Sequence, residues 1–564
     1  MNQMADMILY NGKFYKSDPH KQYAEAVAIQ ADRFICVGTL EECMEFQGKH
    51  TKLRDMMGRF ILPGLIDGHT HPEIVAKSCW HIQMPEFDRM EDLLFYVKQY
   101  CEDHPIEELP YFFGEFYPTT WFDDHGPRKE WIDEYVSDRP VRLQDFSDHA
   151  CWYNSKALEL MGIDQEREET GTAPYYTRNE NNEPTGWVQE PLIGKDEEIM
   201  FERIGWHPPT ECTEETIMPF LNFLNDYGVI GLLDGITEGE EAMKLFYDLD
   251  QAGRLNLYYE GACLLEGFDQ LDQCVKTAKA WQKKYASKHV GLHTVKFFLD
   301  RTNEIGNSAS LVPFSNDPTG TNFGQINMTE EELVQTLLRL NEEGLDFHVH
   351  VVCDRGFRTA CDAYEKAKNV VAESGKAWRI YMELAHCELV HPDDRKRPAE
   401  LGIIINWTCH WAGGFFGESA KDFLGKERFE SMYDFTEMIE SGAIMTYSSD
   451  VAGVSEEQRS NPYFGMEISA TRVDLEMPLD PSRYPGSVRP PKSAMLSVEE
   501  MIRGYTRYGA IPLRLEDKLG TIEAGKQANL VVLDQNILEM PVGEIHQIKP
   551  TAVMFDGRLI RGQL

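Results

Sequence analysis

Apolar and polar positions fall into three patterns along the chain. At the N-terminal end, Ala5–Tyr15 and Tyr23–Val37 carry short apolar runs interrupted at Asn11-Gly12 and at Asp32, the punctuation of short strands. The C-terminal end repeats it. Ala528–Leu533 and Thr551–Phe555 read as strands, and Asp556-Gly557 ahead of Arg558–Ile560 is a hairpin signal. Between these ends, buried runs alternate with helical periodicity. Thr329 with Glu332 forms a capping-box pattern before Leu333, Leu337 and Leu340, and Gly344 predicts where that helix stops. Ser497 with Glu500 predicts a second helix, Val498–Tyr508. Val295–Leu299, Asp346–Val352, Gly402–Trp407 and Ala443–Tyr447 read as parallel strands covered on both faces. The alternation predicts an α/β fold, either a (β/α)8 barrel or an open doubly wound sheet.

Residues 73–220 break the alternation. They are rich in turn residues and in aromatics, among them Trp80, Trp121, Trp131, Trp152 and Trp187. A block this apolar is an insertion with its own core rather than a linker, and its aromatics are also candidates for an apolar substrate wall.

Composition narrows the function. The 564 residues suffice for two or three structural units. A balance of 55 basic against 94 acidic residues, net −39, opposes nucleic acid and anionic membranes as partners. No apolar run approaches the ~18 residues of a membrane span, and the first residues lack the basic head and apolar stretch of a secretory signal. Twelve scattered cysteines without a C-x-x-C pair predict reduced thiols and a cytoplasmic protein.

The candidate chemistry sits at the ends of apolar runs. Leu62-Pro63-Gly64-Leu65-Ile66-Asp67-Gly68-His69-Thr70-His71 ends in His-x-His; residues two apart on a strand share a face, so His69 and His71 can grip one ion. Asp346–Val352 carries His348 and His350, of which His350 lies nearer the C-terminal end and is the better ligand, with His348 in a supporting place. His386 ends another run, 36 residues after His350, about one βα unit. Asp450 follows the run Ala443–Tyr447 and would face the same mouth, although an aspartate there can also be a simple helix cap. Lys296 lies inside a buried strand, where it either snorkels to the strand end or is modified by CO₂ to an anionic carbamate bridging two metals. Imidazole and carboxylate with an open position activate water near neutral pH. The sequence holds no Walker A, G-x-S-x-G or G-x-G-x-x-G pattern to compete with that chemistry.

These motifs resemble the metal-dependent amidohydrolase superfamily, in particular its YtcJ-like and N-substituted formamide deformylase-like branch. Pro63–His71 resembles the hallmark PG-x-x-D-x-H-x-H. Asp138-Arg139-Pro140-Val141, the stretch His149–Leu158 and Glu183-Pro184-Thr185-Gly186 resemble the branch's insertion, and Gly520–Val531 resembles its closing G-x-x-x-x-G-K-x-A-D-L run, with Asn529 in place of the aspartate. After Lys296, after His350 and before His386 the chain departs from the branch pattern.

The resemblance implies a (β/α)8 barrel over 59–72 and 221–512, a composite β-sandwich from 1–58 and 513–564, and the insertion at 73–220. It implies His69 and His71 on strand one, carbamylated Lys296 on strand four, His350 on strand five, His386 on strand six and Asp450 on strand eight as ligands of two divalent ions, zinc by default. His149 would stabilise the oxyanion, and His410 takes a comparable place on the rim after strand seven. The expected reaction is hydrolysis of a non-peptide C–N bond in an N-substituted amide or formamide. Metal-activated water attacks, and Asp450 acts as general base, then acid. The expected partner is a small molecule with an apolar or aromatic substituent, and the expected assembly a homodimer. The competing readings are a single-metal deaminase of the same fold, which Lys296 opposes, and a non-catalytic scaffold, which six filled ligand positions oppose.

Overall fold

The computed structural model describes residues 4–18, 20–85, 87–118, 121–122, 125–145, 150–166, 175–189, 196–414 and 418–564. At its centre eight strands run parallel in sequence order: Leu65–Thr70, Val229–Asp234, Tyr258–Leu264, Val290–Phe298, Asp346–Val351, Met382–His386, Ile404–Thr408 and Ile444–Ser448. They are called strands one to eight here. Just beyond strand eight the chain bonds back to strand one, Asp450 N–H to the His69 carbonyl (2.8 Å) and His71 N–H to the Val451 carbonyl (3.0 Å). That contact nearly closes the sheet into a barrel and decides against the open doubly wound alternative. Strands five to seven, and strand one, are buried along their whole length, as expected for strands covered by helices outside and side chains inside.

The helices between strands form for local reasons. Glu330–Glu343 is opened by a full capping box, Thr329 and Glu332 each bonding the other's backbone, and closed by Gly344 at φ +68°, a left-handed turn that glycine takes without strain. The helix expected over 498–508 runs as α-helix only to Arg503 and continues as a π turn, Gly504–Tyr508.

The two chain ends join in one sheet of eight strands, in which Phe60–Pro63 links the N-terminal strands to Leu530–Leu533. Asn11-Gly12 does not break the first strand. Met7–Tyr15 runs through it, with Asn11 at φ +55° and a register shift between Tyr10 and Phe14, so the turn signal became a bulge. Asp556 and Gly557 both have positive φ (46° and 72°) and make a tight hairpin.

The insertion builds a five-stranded sheet, in the order Tyr175–Arg178, Pro184–Gln189, Ala150–Tyr153, Val141–Asp145, Phe112–Tyr117. Its aromatics pack mostly on each other: Trp152 is fully buried, with its ring 5.9 Å from Tyr117, 5.5 Å from Phe122 and 6.1 Å from Trp131. They form the core of this unit. The insertion also grips the barrel rim: Ser455 Oγ–H donates to Glu115 (2.5 Å) and Val454 N–H to Ser78 Oγ (2.8 Å). The twelve cysteines are free thiols, and no helix among the described residues is long and apolar enough to cross a membrane.

Candidate metal centre and active site

Strand order carries the predicted ligands to one end of the barrel. His69 is the next-to-last residue of strand one, Lys296 lies in strand four, His350 in strand five, His386 ends strand six, and Asp450 and His71 sit just past strands eight and one. His69, His71 and Asp450 offer ligand atoms that all lie within 4.8 Å of one another. His71 Nε2 is 3.1 Å and His69 Nε2 3.3 Å from Asp450 Oδ1. Lys296 Nζ lies 3.4 Å from His69 Nε2, and His386 Nδ1 3.5 Å from Asp450 Oδ2. His350 stands beside His386, ring centres 4.6 Å apart, and its Nε2 lies 3.3 Å from the Arg301 carbonyl. His149 lies outside the described residues.

Buried hydrogen bonds set the protonation of His69. Asn406 Nδ2 donates to Thr446 Oγ1 (2.9 Å), so the threonine hydroxyl is left to donate to Glu383 (2.6 Å). The other oxygen of Glu383 accepts His348 Nδ1–H (2.8 Å), which makes His348 Nε2 the acceptor for His69 Nδ1–H (2.7 Å). His69 Nε2 therefore carries a lone pair, and its approach to Asp450 Oδ1 is not a hydrogen bond but two electron-rich atoms converging. Burial, with Lys296 adding to it, holds His69 well below the usual imidazole range, so it stays neutral. An imidazole oriented by a partner on its far nitrogen is the arrangement metal sites use.

Backbone and neighbours hold the set in place. Asp450 (φ +53°) and His386 (φ +77°) are both left-handed, a conformation costing about 1–3 kcal/mol in a non-glycine residue and concentrated at functional sites. Asp67 accepts Ser449 Oγ–H (2.6 Å) and N–H (3.1 Å), tying strand one to the turn that carries Asp450. A Cβ on Gly235, at the end of strand two, would come within 2.4 Å of His69 Nε2 and 2.5 Å of His71 Cε1, so only glycine lets the backbone pass there. His410 does not face the cluster as a donor. Arg459 donates to its Nδ1 (3.3 Å), leaving Nε2–H to bond the Ser449 carbonyl (2.8 Å); it braces the Asp450 turn.

Lys296 does not snorkel. It is 1% exposed, and no carboxylate among the described residues lies within ion-pair distance. Burial brings its pKa down to about 8, against the pull of Asp450, Glu383 and Asp234. The His69 lone pair, which Lys296 Nζ approaches at 3.4 Å, converges with Asp450 Oδ1 at 3.3 Å, and this set of nitrogen and oxygen donors fits a bound cation. Sequence reasoning missed Glu383, Thr446, Gly235 and Arg459 as participants. Only Glu383, three residues before His386, offered a signal, as part of a departure from the expected pattern.

The sequence matches the family described as "Amidohydrolase family" over residues 52–561. It is 23% identical to "N-substituted formamide deformylase" of Arthrobacter pascens, with 99% of each chain covered. It is 22% identical to "Putative amidohydrolase YtcJ" of Bacillus subtilis, with 98% of this chain and 99% of the other covered. In three dimensions it is similar to an uncharacterized metal-dependent hydrolase from Pyrococcus furiosus, at a TM-score of 0.65 and 22% identity, covering 94% of this chain and 100% of that one. At that identity the likeness speaks for the fold.

Proposed function

Because the chain belongs to the amidohydrolase family and is a metal-dependent hydrolase of carbon–nitrogen bonds, we propose that it cleaves an N-substituted amide or formamide into an acid and an amine. His69, His71, Lys296, His350, His386 and Asp450 would hold two divalent ions, with Lys296 as its carbamate. Bound there, the ions supply Lewis acidity toward the carbonyl and lower the pKa of water. Asp450 does the proton work. Its carboxylate reaches both His71 and His386 and keeps 13% of its side chain exposed at the mouth, so it can take a proton from attacking water and return it to the leaving nitrogen. The observation that carries the reading is the hydrogen-bond chain through Glu383 and His348 that leaves His69 Nε2 unprotonated opposite Asp450.

The name of the Arthrobacter pascens relative supports an N-substituted formamide as substrate; an apolar N-substituent and a cytoplasmic setting are the fuller form of the proposal. The test joins metal analysis to a screen of N-substituted formamides, amides, ureas and carbamates read by released amine. Two ions per chain and amine release from a formamide or amide are expected. One ion per chain, full activity in Lys296→Ala and ammonia from an aminopurine would establish the deaminase instead.

A further inference from the structure

At the opposite end of the barrel from the histidines, where strands six and eight begin, a cavity of about 370 Å³ opens toward the sheet made from the chain ends. Tyr381 precedes strand six and Ile444 opens strand eight; Arg507 lies in the turn that follows the helix Val498–Arg503, Ile511 just beyond it, and Glu516, Glu523 and Lys526 in the segment returning to the sheet. Clefts where two units of a fold meet are common ligand sites.

Its charges are left open. Arg507 lies in the π turn Gly504–Tyr508, a local geometry frequent at functional sites. Among the described residues its guanidinium makes no hydrogen bond or ion pair, and it rests beside the ring of Tyr508, 5.9 Å from its centre. The Glu523 carboxylate, on the same cavity, likewise has no hydrogen bond or ion pair among those residues. The other charged groups are engaged. Glu516 accepts Tyr381 O–H (3.2 Å), Asp18 accepts from Lys16 Nζ (3.2 Å) and from the His20 N–H (2.9 Å), and Lys526 donates to the carbonyls of Glu516 (2.7 Å) and Leu519 (3.0 Å). Thr521, also on the wall, has a buried hydroxyl without a partner. In a chain of net charge −39, an arginine that shares a cavity with carboxylates and pairs with none of them is a donor held for something else.

We propose that this cavity binds a small zwitterion, a free amino acid with an apolar side chain. Its carboxylate meets the Arg507 fork, its ammonium meets Glu523, and its side chain lies on Ile444, Ile511 and Tyr381. A guanidinium suits a carboxylate because the two planar groups pair through parallel hydrogen bonds. The three carboxylates on the wall exclude phosphates and polyanions, and one ligand carrying both charges satisfies both open groups.

The test is calorimetric titration of the whole protein with alanine, valine, leucine, methionine and phenylalanine, and with two truncated forms of leucine: 4-methylpentanoate, which lacks the ammonium, and leucinamide, which lacks the carboxylate. At least one of the amino acids should bind, and both truncated forms should bind about tenfold or more weaker than leucine, the scale of one lost charge-assisted contact. Arg507→Gln and Glu523→Gln should each weaken the amino acid by a similar factor without altering metal content or amide hydrolysis. The proposal is overturned if no amino acid gives a heat of binding, if the truncated forms bind as well as leucine, or if neither substitution changes the affinity. Should Arg507→Gln fail to fold, Glu523→Gln carries the same test. None of these outcomes bears on the histidine cluster, so this inference and the proposed hydrolysis stand or fall separately.

Discussion

In the insertion, the buried Arg142 donates to Glu197 (2.7 Å) and Gln144 (2.8 Å) and lies 4.1 Å from the centre of the Phe113 ring; the other oxygen of Glu197 accepts the hydroxyls of Tyr111 and Tyr153 (2.9 Å each). The polar groups close on one another, and the unit gains a fixed core. At the barrel mouth an equally buried chain, Asn406 to Thr446 to Glu383 to His348 to His69, does not close. It ends on the lone pair of His69 Nε2, which Asp450 Oδ1 and Lys296 Nζ approach at 3.3 and 3.4 Å. Burial alone therefore does not mark a functional site. What marks one is a buried polar network that ends on a cluster of titratable groups, here His69, Lys296 and Asp450, instead of closing on itself.

The largest effect expected from breaking this contrast is at the open end. Asp450→Asn keeps the size but removes the base and weakens one ligand, and kcat, measured with metal in excess and corrected for the metal bound, should fall by ~10²–10⁴. A loss under about tenfold would remove Asp450 from proton transfer. At the closed end, Arg142→Leu leaves Glu197 buried beside two tyrosines without its cation. Breaking a buried pair costs ~3–5 kcal/mol, and denaturant unfolding should show a loss of that order. Metal content and KM of the protein that remains folded should not move. A shift in KM would mean that the insertion's core reaches the mouth and that the two networks are one.

An intermediate effect is expected one step back from the metal. Glu383→Ala frees His348 to turn its proton toward His69, so that His69 Nε2 acquires a hydrogen and loses its lone pair. Metal affinity should drop ~10–100-fold, read by competition with a chelator, with less change in kcat once the site is saturated. Equal affinity in the variant would mean that the hydrogen-bond chain is structural in the same sense as the insertion's.

The residues that end apolar runs were legible from sequence, because a strand carries its period and its last residue declares itself: His69, His386 and Asp450 stand where the runs stop, and the spacing between them predicts successive strands. The places of the two histidines in Asp346–Val351 also followed from position: His350 stands nearer the mouth, and His348 further down the barrel, between Glu383 and His69. Glu383, Thr446 and Asn406 were not legible as partners. They meet inside the barrel from strands six, seven and eight, in contacts 35 to 63 residues apart, and no periodicity connects them. His410 stands just past strand seven, where the sequence puts it, but its bracing of the Asp450 turn was not legible, because its partner Arg459 is 49 positions away. Asn11-Gly12 misled for the opposite reason: its local signal is a turn, and the partner strand Tyr23–Gln30 made it a bulge.

The smallest effect sharpens the comparison from outside both networks. Helix Glu330–Glu343 connects the strand of Lys296 to the strand of His350, and its first turn rests on Thr329, whose hydroxyl accepts the Glu332 N–H while Glu332 accepts from the Thr329 N–H (2.8 Å). Thr329→Ala removes that exchange and should cost ~1 kcal/mol in unfolding free energy. Lys296 and His350 are fixed by strand pairing, Lys296 opposite His348 and His350 opposite Ala385, and the helix touches neither through its cap. Metal affinity and kcat should therefore stay within error of wild type. A change in metal affinity after this substitution would show that the strands borrow their register from the helices outside them, and the mouth would then owe its geometry to the whole barrel rather than to the chain of hydrogen bonds inside it.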